Sequence, residues 1–253
     1  MSGAPARWAR AMRVRVRRWS SAVVGILVLA IVLPPAVLLA TGSAASAARS
    51  SALALVWGGY ASAVLLGSGG WAAQRRSGSA LLWLQKPVSP VLLHLHGLPP
   101  RLLVTSLAIM ALTGASTGAA AVLEGPSAVG DMWTAGCTMA VTGVVLVCMI
   151  QGVSGLGVPR EELAALVGFM GLTFLEWKSF DTPDVFGPLL PLAQAVGVPV
   201  DGIGYTGRLL GGGLVDDPAG HLLSVALYAL GWVVVGALGV VLTSRPRFAG
   251  RED

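Results

Sequence analysis

Six long apolar runs are the feature that most constrains what this chain can fold into. A transmembrane helix needs about 20 consecutive apolar residues, and each run approaches that length. Inside a bilayer the backbone polar groups must pair within their own segment, which favours a helix for every run. The predicted fold is all-α and polytopic, with about six transmembrane helices. The predicted spans are residues 21–41, 51–70, 102–123, 132–154, 163–180 and 222–243.

The composition agrees with lipid as the main solvent. Hydrophobic residues make up 55% of the 253 residues and charged residues only 11%, with a mean hydropathy of +0.76. A soluble domain carries about 25% charged residues. We therefore expect one transmembrane domain over residues 1–253, without a large domain outside the membrane. The isoelectric point near 9.9 does not indicate nucleic-acid binding, because the basic residues flank the apolar runs.

The basic residues predict the orientation. With the N-terminus inside and six spans, 14 of the 17 basic residues face the cytoplasm, and only Arg49, Lys178 and Arg208 lie outside. Eight of the 12 acidic residues lie outside. Both termini are therefore predicted to be cytoplasmic. Arginine far outnumbers lysine, a usage that fits a GC-rich bacterial genome, so the expected location is a bacterial cytoplasmic membrane.

The N-terminal stretch before the first span is predicted to be an interfacial amphipathic helix. At 100° per residue Trp8, Met12, Val16 and Trp19 gather on one side, and most of the six arginines point elsewhere. Such a segment lies in the headgroup plane, although a plain basic flank would satisfy the same pattern. Cleavage of a signal peptide is an alternative, but the first run is longer than the roughly 7–15 residues of a signal core.

A cytoplasmic segment, residues 71–101, separates the second and third spans. Arg75 and Arg76 precede an apolar set formed by Leu81, Leu82 and Leu84. A short helix with this pattern can lie at the membrane face and insert its apolar side into a groove of a partner. A connector without a partner would fit the same residues.

This segment resembles the loop after the second span in permease subunits of type-2 (ABC-2 type) ABC exporters. That loop commonly reads Glu-Arg-x-x-Gly-Thr-Leu-x-x-Leu-Leu, then Pro-Val-Ser after a short gap; here Gln74 replaces the acidic residue and Ser79 the threonine. The resemblance implies a coupling helix that contacts an ATPase subunit. The residues assigned to ATPase coupling are Arg75, Arg76, Gly78, Leu81, Leu82, Leu84, Pro87, Val88 and Ser89.

A second stretch is similar to the external segment of the same family, a proline followed by Arg-x-Leu-Leu-x-Gly before the last span. It lies in the predicted external segment, residues 181–221, which we expect to fold back as short helices. The residues of this external motif are Pro199, Gly202, Tyr205, Arg208, Leu209, Leu210 and Gly212.

The resemblance implies the function and the partners. The chain would be the transmembrane permease subunit of an ATP-driven exporter, paired with a second permease as a homo- or heterodimer and with ABC ATPase subunits. The sequence has no phosphate-binding loop of the Gly-x-x-x-x-Gly-Lys-[Ser/Thr] type, so ATP would be used by the separate subunit and no cofactor is expected on this chain. The uncharged spans favour an apolar or amphipathic cargo such as a drug, antibiotic, lipid or peptide.

Two other classes of protein fit parts of the sequence. A secondary transporter or channel without an ATPase partner is the main alternative, although such carriers usually place ionisable groups within the membrane. An intramembrane serine protease is a remote alternative, carried by Gly152-Val-Ser154-Gly155 and His221. The polar side chains within the spans are assigned to helix packing: Thr113, Thr117, Thr138, Thr142 and Gln151.

Histidines, cysteines and small residues offer weaker signals. His94 and His96 point about 200° apart on a helix and are interpreted as interfacial polar residues, so no metal site is expected. Cys137 and Cys148 are interpreted as packing residues. The Gly114–Gly118 pattern of small residues would permit a close contact between helices.

Overall fold

The computed structural model describes residues 24–26, 28, 31–76, 89–181 and 200–244, and for residues 176–181 the backbone alone. Within these ranges the chain is helical, with short turns and no strand. The predicted all-α class is confirmed for this part of the chain. The predicted N-terminal interfacial helix lies outside the described residues.

The helices follow the apolar runs of the sequence. Long apolar segments become helical because every backbone N–H and C=O then pairs within the segment. Their bounds are α1 Val24–Thr41, α2 Ala44–Gly67, α3 Trp71–Arg76, α4 Pro90–His96, α5 Leu98–Leu123, α6 Ser127–Gly155, α7 Glu161–Asp181, α8 Val200–Leu210 and α9 Pro218–Ser244.

Five helical segments of the described residues are long and apolar enough to cross a membrane. They are α1, α2, α4 together with α5, α6 and α9. These segments match the predicted first, second, third, fourth and sixth spans. The predicted fifth span forms a helix of 21 residues, α7, which is not among the five. The chain has the helices of a multi-pass membrane protein, while the sixth crossing and the orientation stay predictions.

Two helices begin well before the predicted spans that they match. Helix α2 begins at Ala44 rather than near residue 51, because Ser50 and Ser51 do not interrupt it. Their hydroxyls donate to the carbonyl of Ala47, at 2.6 and 3.3 Å. A serine bonded back to its own helix leaves no polar group unsatisfied, and the helix continues through it.

The second of these helices is the one that leads into the third span. Helix α4 begins at Pro90, a residue suited to the first turn of a helix because it has no N–H to lose. Gly97 keeps a right-handed helical conformation (φ −78°, ψ −13°) between α4 and α5. The third apolar segment therefore starts 12 residues before the predicted position, in what was assigned to the cytoplasmic segment.

The chain divides into two compact units. The first contains the described parts of Met1–Leu66, Leu103–Val144 and Asp201–Leu222, and the second those of Gly67–Leu102, Val145–Val200 and Leu223–Asp253.

Glycines bring backbones close together within the first unit. Gly59 lies against Met139, and Gly136 lies against Thr113, so an added Cβ at either glycine would overlap a side chain of the neighbouring helix. These contacts join α2 and α5 to α6. Gly114 and Gly118 have open space where a Cβ would be. The contact predicted for the Gly114–Gly118 pattern does not form in the described structure.

In the second unit α6 and α9 meet with little side chain between them. A Cβ on Gly155 would overlap the backbone of Gly236, and a Cβ on Gly239 would lie 2.7 Å from the carbonyl carbon of Gly155. Small residues of this kind allow the close approach on which helix association in membranes depends.

Candidate functional site

The first candidate site surrounds α3, the short helix that ends in the predicted coupling residues Arg75 and Arg76. Its first side chain, Trp71, is 1% exposed and packs with Val240 of α9. The indole Nε1–H of Trp71 donates to Oγ1 of Thr243 at 3.1 Å. The start of α3 is therefore fixed to the last helix by both an apolar and a polar contact within the second unit.

Side chains from two further helices satisfy the backbone at the start of α3. The hydroxyl oxygen of Ser154 accepts the N–H of Ala72 at 3.1 Å, and Oε1 of Glu161 accepts the N–H of Gly70 at 3.2 Å. The first N–H groups of a helix have no partner within the helix, and a carboxylate there also meets the positive end of the helix dipole. Ser154 and Glu161 thus act as caps supplied by α6 and α7.

Glu161 also binds one of the predicted coupling residues. Its Oε2 lies 3.2 Å from Nη2 of Arg76, the one ion pair among the described residues. The Glu161 side chain is fully buried, whereas that of Arg76 is 47% exposed. A buried carboxylate with two donors is satisfied, so its charge does not require water. The ion pair therefore joins the last residue of α3 to the first residue of α7.

Arg101 organises a second polar cluster in the same unit. It is 3% exposed, and its guanidinium donates to the carbonyls of Gly67 at 3.4 Å and Gly69 at 2.8 Å and to Oε1 of Gln151 at 2.6 Å. The two carbonyls belong to the turn between α2 and α3, where Gly69 has φ +82°. Arg101, at the start of α5, therefore holds this turn in place, and Gln151 near the end of α6 holds Arg101.

Gln151 extends the cluster to His94. Its amide nitrogen lies 2.8 Å from the carbonyl oxygen of His94 and 3.2 Å from Nδ1 of the same residue. His94 is 3% exposed, so the interfacial interpretation of this residue is wrong. Burial is possible because Gly236, without a side chain, leaves room beside Nε2 of the imidazole. His96 is exposed.

The remaining residues of the coupling prediction are only partly described. Arg75 is exposed, and one guanidinium nitrogen lies close to Gly157. Ser89 precedes α4 without a capping bond from its side chain. The other predicted coupling residues lie outside the described residues: Gly78, Leu81, Leu82, Leu84, Pro87 and Val88.

The second candidate site belongs to the first unit and contains the external motif. The motif folds as α8, a helix whose buried residues are Gly202, Ile203, Thr206 and Gly207. Gly207 lies against Thr138 and Gly211 against Thr134, so two glycines of this segment face two threonines of α6 with the same spacing. The predicted short helix is confirmed for Val200–Leu210, and its external location stays a prediction.

The other members of the external motif lie around this contact. Tyr205, Arg208 and Leu210 are exposed, and Leu209 is half-buried. Gly212 follows α8 with φ +86°, a left-handed conformation that glycine adopts without steric cost. Pro199 lies outside the described residues.

A ring stack fixes the exposed side of α8. Tyr205 stacks on His221 at 4.3 Å between ring centroids, and the guanidinium carbon of Arg208 lies 5.7 Å from the centre of the tyrosine ring. A cation over an aromatic face is attracted by the ring quadrupole. The Arg208 charge is therefore held on the same side of α8 as Tyr205.

A cavity of about 570 Å³ opens beside Arg208. Its wall combines Val56 and Tyr60 of α2 with Gly204 and Arg208 of α8. The rest comes from one face of α6: Asp131, Thr134, Ala135, Thr138, Met139 and Thr142. The volume lies within the range of about 300–1,000 Å³ that small-molecule pockets occupy.

Sequence reasoning missed the residues that hold α3. Ser154 was considered only as a protease nucleophile, but it is fully buried and accepts a backbone N–H. Glu161 offered one signal, an acidic residue in the first turn of a helix, which indicates a helix start but not a distant partner. Gln151 was assigned to packing, which is correct but omits its partners His94 and Arg101.

No group of three or more histidine, cysteine, aspartate or glutamate side chains that would hold a metal ion occurs in the part of the chain that the structure describes. Cys137 and Cys148 are buried and unbonded to each other. Comparison of the chain with protein-family models, with curated proteins and with solved structures finds no match.

Proposed function

We propose that this chain is the transmembrane permease subunit of an ATP-driven exporter of the type-2 ABC class. In this proposal it lies in a bacterial cytoplasmic membrane and moves an apolar or amphipathic compound. The observation that carries the proposal is the attachment of α3. Three separate helices hold this short helix through Ser154, Glu161 and Thr243, directly before the segment that resembles a coupling helix.

The contacts of α3 explain how a push on the coupling segment would reach the membrane helices. A short helix without such contacts would absorb the push by bending its flanking turns. Here the indole of Trp71, the Ala72 N–H and the Arg76 guanidinium each bind a different helix of the second unit. Displacement of α3 must therefore displace α6, α7 and α9 or break these bonds, which is the kind of two-state repacking that transport requires.

The ATPase subunit supplies ATP hydrolysis in this proposal. The permease residues bind the ATPase subunit and transmit its displacement to the membrane helices. Leu81, Leu82 and Leu84 are the apolar docking residues, and each leucine buried at an interface contributes about 1.5–3 kcal/mol. Arg75 and Arg76 add charge, which at an exposed surface contributes about 0–1 kcal/mol.

The test is co-purification of the ATPase subunit with the permease, together with its ATP turnover. Replacement of Leu81 and Leu82 by aspartate should abolish recruitment while membrane insertion persists. Replacement of Arg75 by alanine is the matched comparison and should weaken recruitment less. A Leu-to-Asp double variant that recruits a fully active ATPase would remove the segment from the coupling role.

An ion-coupled secondary transporter is the second candidate, and one observation favours it. Glu161 and His94 are both buried, and buried ionisable groups within a membrane protein are typical of proton pathways. Liposomes containing the purified chain alone, with a pH-sensitive dye inside, separate the two candidates. A proton-coupled carrier would dissipate an imposed pH gradient, whereas the permease subunit should leave it intact.

A further inference from the structure

We propose that the cavity between α2, α6 and α8 binds a zwitterionic amphiphile, a molecule with an apolar body and a headgroup that carries one positive and one negative charge. The proposal rests on the proposed function only in naming this molecule as cargo or as a lipid that serves transport. The binding itself depends on the residues of the first unit alone.

Two opposite charges line the same cavity without neutralising each other. Asp131 of α6 and Arg208 of α8 are both part of the wall, and both side chains are exposed. Among the described residues the one ion pair joins Arg76 to Glu161, so Asp131 and Arg208 are not paired with each other. A headgroup with a cation for Asp131 and an anion for Arg208 would satisfy both charges at once, which a singly charged molecule cannot do.

The position of Arg208 is set before any ligand arrives. Its guanidinium lies over the ring of Tyr205, and that ring is stacked on His221. A side chain held by its neighbours loses less conformational entropy when it binds an anion. The guanidinium also presents a planar set of donors that matches phosphate or carboxylate oxygens.

Two of the four hydroxyls of the wall are already committed to their own helix. Thr138 donates to the carbonyl of Thr134 at 3.0 Å and Thr142 to that of Thr138 at 2.9 Å. Their oxygens keep only acceptor capacity, so these two residues have no hydroxyl donor to offer a ligand.

Three residues of the wall are apolar. Val56, Ala135 and Met139 present hydrocarbon or thioether surface, and methionine adapts its shape to irregular partners. The cavity is open on one side and its volume of about 570 Å³ is suited to a headgroup with the first part of an acyl chain or to a small amphiphilic compound. The combination selects an amphiphile over a compact soluble ion.

Photo-crosslinking tests the site without the ATPase. The probes are three dodecyl compounds with the same diazirine-bearing chain and different headgroups: phosphocholine, trimethylammonium and methyl phosphate, a phosphodiester with one negative charge. The full chain is purified in a neutral maltoside detergent, irradiated with each probe, and mapped by mass spectrometry. We expect the phosphocholine probe to label the 131–142 part of α6 at least about threefold more than either singly charged probe, since exposed charge contacts are individually modest.

Charge variants give the sharper comparison. Asp131→Asn should lower labelling by phosphocholine to the level of the methyl phosphate probe, and Arg208→Gln should lower it to the level of the trimethylammonium probe. Asp201→Asn, also on α8 but outside the wall, is the matched control and should change nothing. Both wall charges are exposed, so unchanged thermal unfolding midpoints should accompany the loss of labelling.

A further arm identifies the source of the headgroup. Labelling by the phosphocholine probe is compared in nanodiscs of phosphatidylcholine and of phosphatidylglycerol. Weaker labelling in phosphatidylcholine would support the proposal and assign the site to a bilayer lipid. Equal labelling in the two lipids would assign the site to a free compound. Equal labelling by all three probes, or variants that reduce the three probes alike, would overturn the proposal. Because the ATPase is absent, failure of this experiment leaves the exporter proposal standing, and loss of ATPase recruitment leaves the binding result standing.

Discussion

The two units of the chain use their polar side chains in opposite ways. In the second unit Arg101, Gln151 and Glu161 bind groups that lie 32 to 91 residues away in sequence. In the first unit Thr113, Thr138 and Thr142 bind carbonyls four residues away in their own helices. The first unit has one described exception, the bond of 3.3 Å from the Ser116 hydroxyl to the Ser51 carbonyl.

This difference separates two ways to hold helices together. Long-range polar bonds fix a particular arrangement, because moving one helix leaves a buried donor or acceptor unsatisfied. Contacts between glycines and threonines depend on shape and lose little when they shift slightly. The second unit is therefore suited to transmit a displacement, and the first to adapt around a bound molecule. Four substitutions test this contrast, in order of decreasing expected effect.

Arg101→Leu should give the largest loss of stability. It leaves Oε1 of Gln151 and the carbonyls of Gly67 and Gly69 without this donor, at about 1–3 kcal/mol for each unsatisfied buried group. We expect a total near 3 kcal/mol or more, measured as a fall of roughly 6–12 °C in the unfolding midpoint of the purified chain. Arg49→Leu, at an exposed position, is the control. Equal midpoints for the two variants would contradict the role given to the cluster.

Gly207→Val tests the shape-based contact of the first unit. No room exists for a Cβ beside Thr138, so the side chain must push α8 away from α6. Overpacking of this kind costs about 1–3 kcal/mol. Gly204→Ala, on the same helix with open space around it, should be neutral or slightly stabilising, because alanine favours a helix by about 0.5–1 kcal/mol. The two unfolding midpoints should therefore move in opposite directions.

Glu161→Gln should have a smaller effect on stability. The amide keeps an acceptor for the Gly70 N–H but loses the charge that attracts Arg76, and Arg76 is half exposed and can turn to water. We expect a loss of about 1 kcal/mol, because the ion pair is partly solvated. Glu162→Gln is the neighbouring control. ATPase recruitment should fall further than stability does, and recruitment that follows the midpoint alone would speak against transmission through α3.

Thr142→Val should have the smallest effect. Its hydroxyl binds only the carbonyl of Thr138, which also belongs to the helical ladder. Side-chain hydrogen bonds in membrane proteins contribute about 0.6 kcal/mol on average, so the unfolding midpoint should shift by no more than that. A shift as large as that of Arg101→Leu would mean that Thr142 has a long-range partner and would remove the contrast between the units.

The sequence predicted the helices better than it predicted their contacts. Apolar runs locate α1, α2, α5, α6 and α9 because burial in lipid requires a continuous apolar segment. The early start of α2 escaped prediction because a serine that bonds to its own helix looks in sequence like a serine that ends one.

The candidate sites were less predictable for a different reason. Arg75 and Arg76 were identified by local pattern, but the partner of Arg76 is 85 residues away and follows an unremarkable Pro159-Arg160. His94 was interpreted as interfacial because the residues near it in sequence do not indicate its contacts. These contacts are with Gln151, 57 residues later, and with the space beside Gly236. The cavity could not be predicted because Asp131 and Arg208 line the same wall only once α2, α6 and α8 are packed together.

The attachment of α3 has a consequence for the order in which the protein is made. The hydrogen-bond partner of the Ala72 N–H, Ser154, is synthesised 82 residues later, and the partner of the Trp71 indole, Thr243, is synthesised 172 residues later. At about 5–20 residues per second of synthesis, the last of these partners emerges roughly 10–30 s after α3 does. Until then the segment that is proposed to recruit the ATPase lacks one of its three attachments. A truncated or half-inserted chain would thus offer no finished docking surface, and assembly with the ATPase would be restricted to permeases whose final helix is already in place.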